Sequence, residues 1–190
     1  MKKKKAKKQQ YYKGFPIDSE GEMNFIMWME ELKEEGYIEK YERGQSYLLS
    51  DSLVNNYVET LKTKSKPKTQ TILHGHSYTP DFFIMWTTKG FNIFCNNLGE
   101  KWVKPFMCDG KFSYIEAKPP FDFANMSRLA MLNIKWMWQK YKIHVQMVKN
   151  IELFEKTFTP KAYLVTKTGK TRLVKHKFRT LKEYINGTGK

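Results

Sequence analysis

Apolar residues recur at helical spacing over residues 19–35, SEGEMNFIMWMEELKEE. Phe25, Trp28, Met29 and Leu32 fall on one face, and Glu30, Glu31 and Glu34 lie opposite, the period of a half-buried helix. Ser19 stands where an N-cap belongs, Glu22 follows three residues later as a capping-box partner, and Gly36 supplies the stop. The period then changes. Residues 37–41 and 46–49 read as short extended pieces, and 52–61 fits either a helix or a strand. KTKSKPKTQ at 62–70 is polar, basic and interrupted by proline, which predicts a loop. TILH at 71–74 and the stretch 78–87 are strand-like. Between 89 and 111 the apolar runs FNIF and WVKPFM are broken by NNLGE and CDGK, and a hairpin or insertion is expected there. FSYIEAK at 112–118 is a further strand, ended by Pro119 and Pro120.

A second amphipathic helix covers 122–141. Phe123, Met126, Ala130, Ile134, Met137 and Tyr141 line one face, and Arg128, Lys135 and Gln139 line another. KIHVQMVK at 142–149 alternates as a strand does. Beyond it, a short hairpin around 168–169 and a last helix near 181–185 are expected. Helix, strands, helix, strand in that order predicts an α/β (α+β) fold with a central mixed β-sheet flanked by helices. The 190 residues suffice for one domain with a sizeable core. No repeats and no second domain are visible.

Composition adds the question of partners. The formal net charge is +15, and its distribution is uneven. Residues 1–13 hold seven lysines and no acid, 14–50 hold nine acids against three bases, and 161–190 hold nine Lys/Arg against Glu183. Basic ends suit a polyanion, because each neutralised phosphate releases condensed counterions. The chain therefore divides into a disordered basic arm at 1–13, a core domain at 14–160 and a basic C-terminal extension at 161–190. Lys2, Lys3, Lys4 and Lys5 of the arm, together with the tail at 161–182, would follow a phosphate backbone without reading sequence. Arg128 and Lys135 are candidates for phosphate contact on the second helix, or else part of an ordinary solvated face. No apolar run reaches the roughly 20 residues of a membrane span, and no apolar stretch follows MKKKKAKKQQ, so neither membrane insertion nor secretion is expected. Cys95 and Cys108 show no framework pattern, which suits free thiols in a reducing cytoplasm. With His74 and His76 they match no common zinc spacing.

Two strand-like segments carry charge inside apolar surroundings, Tyr78-Thr79-Pro80-Asp81-Phe82-Phe83 and Tyr114-Ile115-Glu116-Ala117-Lys118. A lone carboxylate on a buried strand is costly unless it is paired or metal-bound. Glu116 and Lys118 are two apart and point to one face, and Asp81 joins them if the two strands are neighbours. Two carboxylates and a backbone carbonyl such as that of Ala117 can hold a hard cation, and a lysine beside it can orient or deprotonate water. Glu22, at the start of the first helix, can add a third carboxylate. Blander roles exist for each residue: Glu22 as the cap partner of Ser19, Asp81 as a strand-start residue paired with a lysine, Glu116 and Lys118 as a salt-bridged surface pair. Glu20 is the rival acid on the first turn, one residue past the cap and expected to face solvent.

Pro80-Asp81 followed by Glu116-x-Lys118 resembles the PD-(D/E)xK nuclease superfamily, and within it small phage endonucleases of the Holliday-junction-resolvase and endonuclease I kind. Ser19-Glu20-Gly21-Glu22 is similar to the Ser-x-x-Glu that often opens their first helix, and Tyr78 to Phe82 to their YTPDF strand. The likeness spans about residues 15–150. It implies a restriction-endonuclease-like core, dependence on Mg²⁺ or Mn²⁺, and DNA cleavage, often at branched structures and often by a homodimer. It also implies metal ligation by Asp81, Glu116 and Glu22, with Lys118 as the catalytic cation. The stretch from Asp81 to Glu116 is longer than in compact members, and the proline pair is foreign to the motif. The competing functional readings are a non-catalytic nucleic-acid-binding protein, a virion-associated component and a ribosome-associated basic protein.

Overall fold

The computed structural model describes residues 10–95, 104–118, 126–166, 168–176 and 178–187. Its first helix is the one the periodicity announces. The Ser19 side chain accepts the Glu22 N–H and caps α1 (Glu20–Glu34), and Gly36, at φ +74°, ends it. Ahead of the helix, β1 (Gln10–Tyr12) and β2 (Phe15–Ile17) form an antiparallel hairpin, and Lys13 reaches Glu30 at 2.6 Å. The disordered arm expected over 1–13 therefore does not extend to residues 10–13, because the hairpin supplies their backbone partners; residues 1–9, with Lys2 to Lys5, lie outside the described residues.

After α1 the chain runs through β3 (Ile38–Arg43), β4 (Tyr47–Ser50), β5 (Leu53–Thr60), β6 (Ser65–Leu73), β7 (His76–Tyr78) and β8 (Phe82–Trp86). The strands pair outside-in, β5 with β6, β4 with β7 and β3 with β8, all antiparallel. The sequence expectation of a loop at 62–70 is thus corrected: β6 takes in most of KTKSKPKTQ. Pairing with β5 satisfies one edge of the strand, and a two-stranded ribbon tolerates Pro67 where a sheet interior would not. Of the hairpin or insertion expected in 89–111, the hairpin is corrected in its first part. The residues FNIF lie in helix α2 (Thr88–Phe94), capped by the Thr87 hydroxyl on the Gly90 N–H, with Phe94 fully buried. Gly90 is required there, since a Cβ would stand 1.9 Å from the Tyr37 carbonyl oxygen.

β9 (Phe112–Lys118), α3 (Met126–Tyr141) and β10 (Val145–Lys149) follow, then α4 (Asn150–Lys156), a 3₁₀ turn (Lys161–Leu164) and α5 (Leu181–Gly187). Among the described residues the central sheet has the order β10-β9-β8-β3. β10 runs parallel to β9, and the other two pairings are antiparallel, so the fold is a mixed α/β sheet flanked by helices. Each face has its own core. On one, α1 packs Phe25, Trp28, Met29 and Leu32 against Phe82, Ile84, Trp86 and Ile115, with Trp28 ringed by Phe25, Trp86, Phe94, Phe106 and Phe158. On the other, Ile134 and Met137 of α3 meet Tyr47, Leu49, Tyr78 and Val145 in a smaller cluster. Ala130, Ile134 and Met137 are buried as the helical pattern requires, whereas Tyr141 stays half-exposed. Phe123 and the side chain of Met126 lie outside the description.

One further expectation changes. Cys95 and Cys108 are joined in a disulfide with Cα atoms 5.7 Å apart, so they are not free thiols. The bridge closes a loop of 13 residues, a constraint of about 3 kcal/mol on the unfolded chain in the loop-entropy account, and it removes these cysteines from any argument for a reducing compartment. In the basic C-terminal extension the helix expected near 181–185 is present as α5, and the described part of the extension packs on the body. Leu181 and Tyr184 belong to the α1-side core, Arg179 donates to the Lys156 and Thr157 carbonyls, and Arg172 lies over Tyr163. Among the described residues no helix is long and apolar enough to cross a membrane.

Candidate active site

The two charged motifs meet because β8 and β9 are neighbours in a definite register. Phe82 pairs with Ile115 and Phe83 with Tyr114, so one step further along the ladder Asp81 stands opposite Glu116. The Asp81 carboxylate accepts the Ala117 N–H at 2.8 Å, a bond that continues the ladder with a side chain where the strand has not yet begun. Period-two alternation then aims Glu116 and Lys118 to the same side. Lys118 Nζ lies 2.6 Å from Glu116 Oε1, and the Tyr78 hydroxyl donates to Glu116 Oε2 at 2.7 Å. Glu116 is only 6% exposed. Its charge is thus tolerated through a charge-assisted bond on each oxygen.

Glu22 reaches the same end of the sheet from the first turn of α1. Its carboxylate is held by Arg43 at 2.5 Å and by the Ser19 hydroxyl at 3.3 Å. Arg43, the last residue of β3, also donates to the Pro16 carbonyl and lies 4.9 Å over the Phe82 ring. The next residue must be glycine for a steric reason. A Cβ on Gly44 would sit 2.1 Å from the Pro80 carbonyl oxygen, so glycine lets β3 close onto the strand start that carries Asp81. Glu20 faces solvent, as expected, with a distant partner in Arg172 at 3.7 Å.

The electrostatics single out Asp81. Burial pushes its carboxyl up to about 7; the charges of Glu116 and Glu22 push the same way, and the Ala117 N–H and Lys118 oppose them. The Tyr78 phenol is raised by burial and by the Glu116 carboxylate that it serves. Three acids thus crowd one end of the sheet, and Asp81 is the one that no cation among the described residues contacts directly.

For a divalent ion, the oxygen donors offered here are hard, as Mg²⁺ or Mn²⁺ requires. Among the described residues no three His, Cys, Asp or Glu side chains are arranged as a ready metal group. Asp81 and Glu116 form the pair that could hold an ion, together with the Ala117 carbonyl and water. Glu22 is turned to Arg43, so it stands close enough to act on Asp81 by its charge while its own oxygens are engaged. The structure therefore brings Asp81, Glu116, Lys118 and Glu22 together. Arg128 and Lys135 lie on the exposed side of α3.

Reading the sequence misses two participants. Tyr78 is visible only as part of its motif, and its position three residues before Asp81 is the signal that could promote it. Arg43 carries no signal, because its link to Glu22 spans 21 residues and depends on how β3 packs beside α1. Of the two histidines weighed for zinc, His76 bonds Asn133 at 2.8 Å and meets Trp136 edge-on, and His74 is exposed. Compared with protein-family models, curated proteins and solved structures, the chain matches none of them.

Proposed function

We propose that this protein is a metal-dependent DNA endonuclease with a restriction-endonuclease-like core of the PD-(D/E)xK kind. The observation that carries the reading is Asp81 facing Glu116 across adjacent strands, with Lys118 bound to Glu116 on the same face. Asp81 and Glu116 would hold Mg²⁺, which when bound polarises the phosphoryl oxygen and lowers the pKa of a coordinated water. Lys118 orients the attacking water and steadies charge on the phosphorane-like transition state. Tyr78 fixes the Glu116 carboxylate through its second oxygen, and Arg43 with Glu22 closes the end of the site. Branched DNA as substrate and a homodimer as the working unit extend the same proposal, on the sequence resemblance.

One observation favours a second reading. Each Glu116 oxygen already has a close protein partner, which is also what a purely structural charge cluster in a nucleic-acid-binding protein would show. Mg²⁺ separates the two. Purified protein is incubated with a four-way DNA junction and a matched linear duplex, with Mg²⁺ or with EDTA, beside Asp81→Ala and Lys118→Ala. We expect Mg²⁺-dependent cutting that falls at least about 100-fold in each variant, with the junction preferred. Salt-sensitive binding without cutting under Mg²⁺ or Mn²⁺ leaves the binding protein as the reading.

A further inference from the structure

The β5–β6 ribbon is the part of the described molecule least explained by folding. Every residue of β6 and all of β5 except Glu59 are exposed, including Leu53, Val54, Tyr57, Val58, Ile72 and Leu73. A two-stranded ribbon with no core beneath it is marginal in water, so this one invites an outside partner. Its charge says which. Residues 53–73 contain Lys62, Lys64, Lys66 and Lys68 against one acid, Glu59. Glu59 pairs with Lys68 at 2.6 Å, and among the described residues Lys62, Lys64 and Lys66 form no ion pair.

The register sorts the side chains by face. Lys66 stands opposite Glu59, Lys68 opposite Tyr57 and Gln70 opposite Asn55; since directly paired residues share a face, these form one polar, cationic surface with one aromatic ring. The other face pairs Thr60 with Ser65, Val58 with Pro67 and Asn56 with Thr69, and carries no charge. Lys66 and Lys68 of β6 stand about 6.7 Å apart on this face, with Lys62 and Lys64 in the turn that joins it to β5, and the paired length is about 27 Å, the axial length of about eight base pairs at 3.4 Å each. Position completes the case. The ribbon leaves the sheet through β4 and β7 from the end where β3 finishes at Arg43 and β8 begins after Asp81.

We propose that the lysine-bearing face of the β5–β6 ribbon is a duplex-DNA clamp that binds backbone phosphates and aligns the duplex with the Asp81–Glu116 end of the sheet. It rests on the reading that DNA is the substrate, and adds the surface that holds it. The solvent side of a ribbon has no interior role to lose, so its lysines can be removed without touching either core.

The test is binding, with cleavage suppressed. The full chain is titrated with a fluorescent 24-base-pair duplex in EDTA over a range of KCl concentrations, beside the variant carrying Lys62→Ala, Lys64→Ala, Lys66→Ala and Lys68→Ala. Affinity is expected to drop at least about tenfold near 0.1 M salt, and the slope of log K against log salt to shrink by about 3, at roughly 0.9 for each phosphate that is no longer neutralised. Affinity and slope both unchanged would overturn the clamp. So would sedimentation in which the variant passes from dimer to monomer with its slope intact, since the partner would then be a second copy of this chain. The two proposals fail separately. Wild-type protein that binds with the lysine-dependent slope but never cuts leaves the clamp standing and sinks the nuclease; protein that cuts, with a variant that binds as well as wild type, does the reverse.

Discussion

The Asp81 end of the sheet and the β5–β6 ribbon both put charge on β-strands, and they treat it in opposite ways. At the sheet end, Glu22 and Glu116 are buried, and each carboxylate is fastened to a named cation, Arg43 or Lys118, at 2.6 Å or less. On the ribbon, lysines project from a surface with nothing behind it, and the single pair joins an exposed Lys68 to a half-buried Glu59. Buried charges are coupled to the fold, because removing one partner strands the other in a poorly solvated place. Exposed charges are nearly free of it, since water and salt screen them. The lesson is that one kind of residue on one kind of element can be part of the structure's stability in one region and a resource for binding in another.

The sharpest way to break the contrast is Arg43→Ala. It leaves Glu22 buried and unpaired, and thermal unfolding is expected to show a loss of about 2 kcal/mol, a fall of about 5 °C for a domain of this size. Glu22→Gln added to it should recover part of the loss; a double variant no more stable than the single one would show that the pair is not what Arg43 contributes.

Next in size is a pH effect at Asp81. Its carboxyl is raised to about 7 in the fold, against about 3.9 in an unfolded chain. Below the unfolded value the group is protonated in both states and costs nothing. As pH rises from about 4 through 7, the unfolded chain releases its proton first, so the folded state loses stability, and above about 7 the loss is complete. Asp81→Asn should therefore raise the melting temperature by several degrees at pH 8 and change it little at pH 4, measured without divalent metal. An equal shift at both pH values would disprove the burial argument. The smallest effect belongs to the ribbon. Its four Lys→Ala changes should alter stability by less than about 0.5 kcal/mol, read from the same melting curves, and a larger loss would mean that the ribbon is tied to the body.

The two long helices, α1 and α3, and the site strands could be read because their signals are local. Ser19, Glu22 and Gly36 bound α1 through contacts within a few residues, and FSYIEAK names its own strand. The ribbon could not be read from KTKSKPKTQ, because lysine, threonine and proline form a strand there only through the partner strand that Leu53–Thr60 supplies. FNIF misled for a related reason: four residues fit either period, and the choice of helix came from the Thr87 cap and from Phe94 entering the aromatic core around Trp28. The disulfide was invisible at a spacing that fits no framework, because pairing depends on where α2 ends relative to Phe106.

Neighbours along the chain were enough to read the α/β order, the capped first helix, the overall positive charge and the acids and lysine worth watching. That Asp81 faces Glu116, that Arg43 occupies Glu22, that Tyr78 serves Glu116 and that four lysines stand on a bare ribbon became visible only in the folded chain. Those are matters of register and packing between segments tens of residues apart, and no local pattern encodes the distance between two strands until they pair.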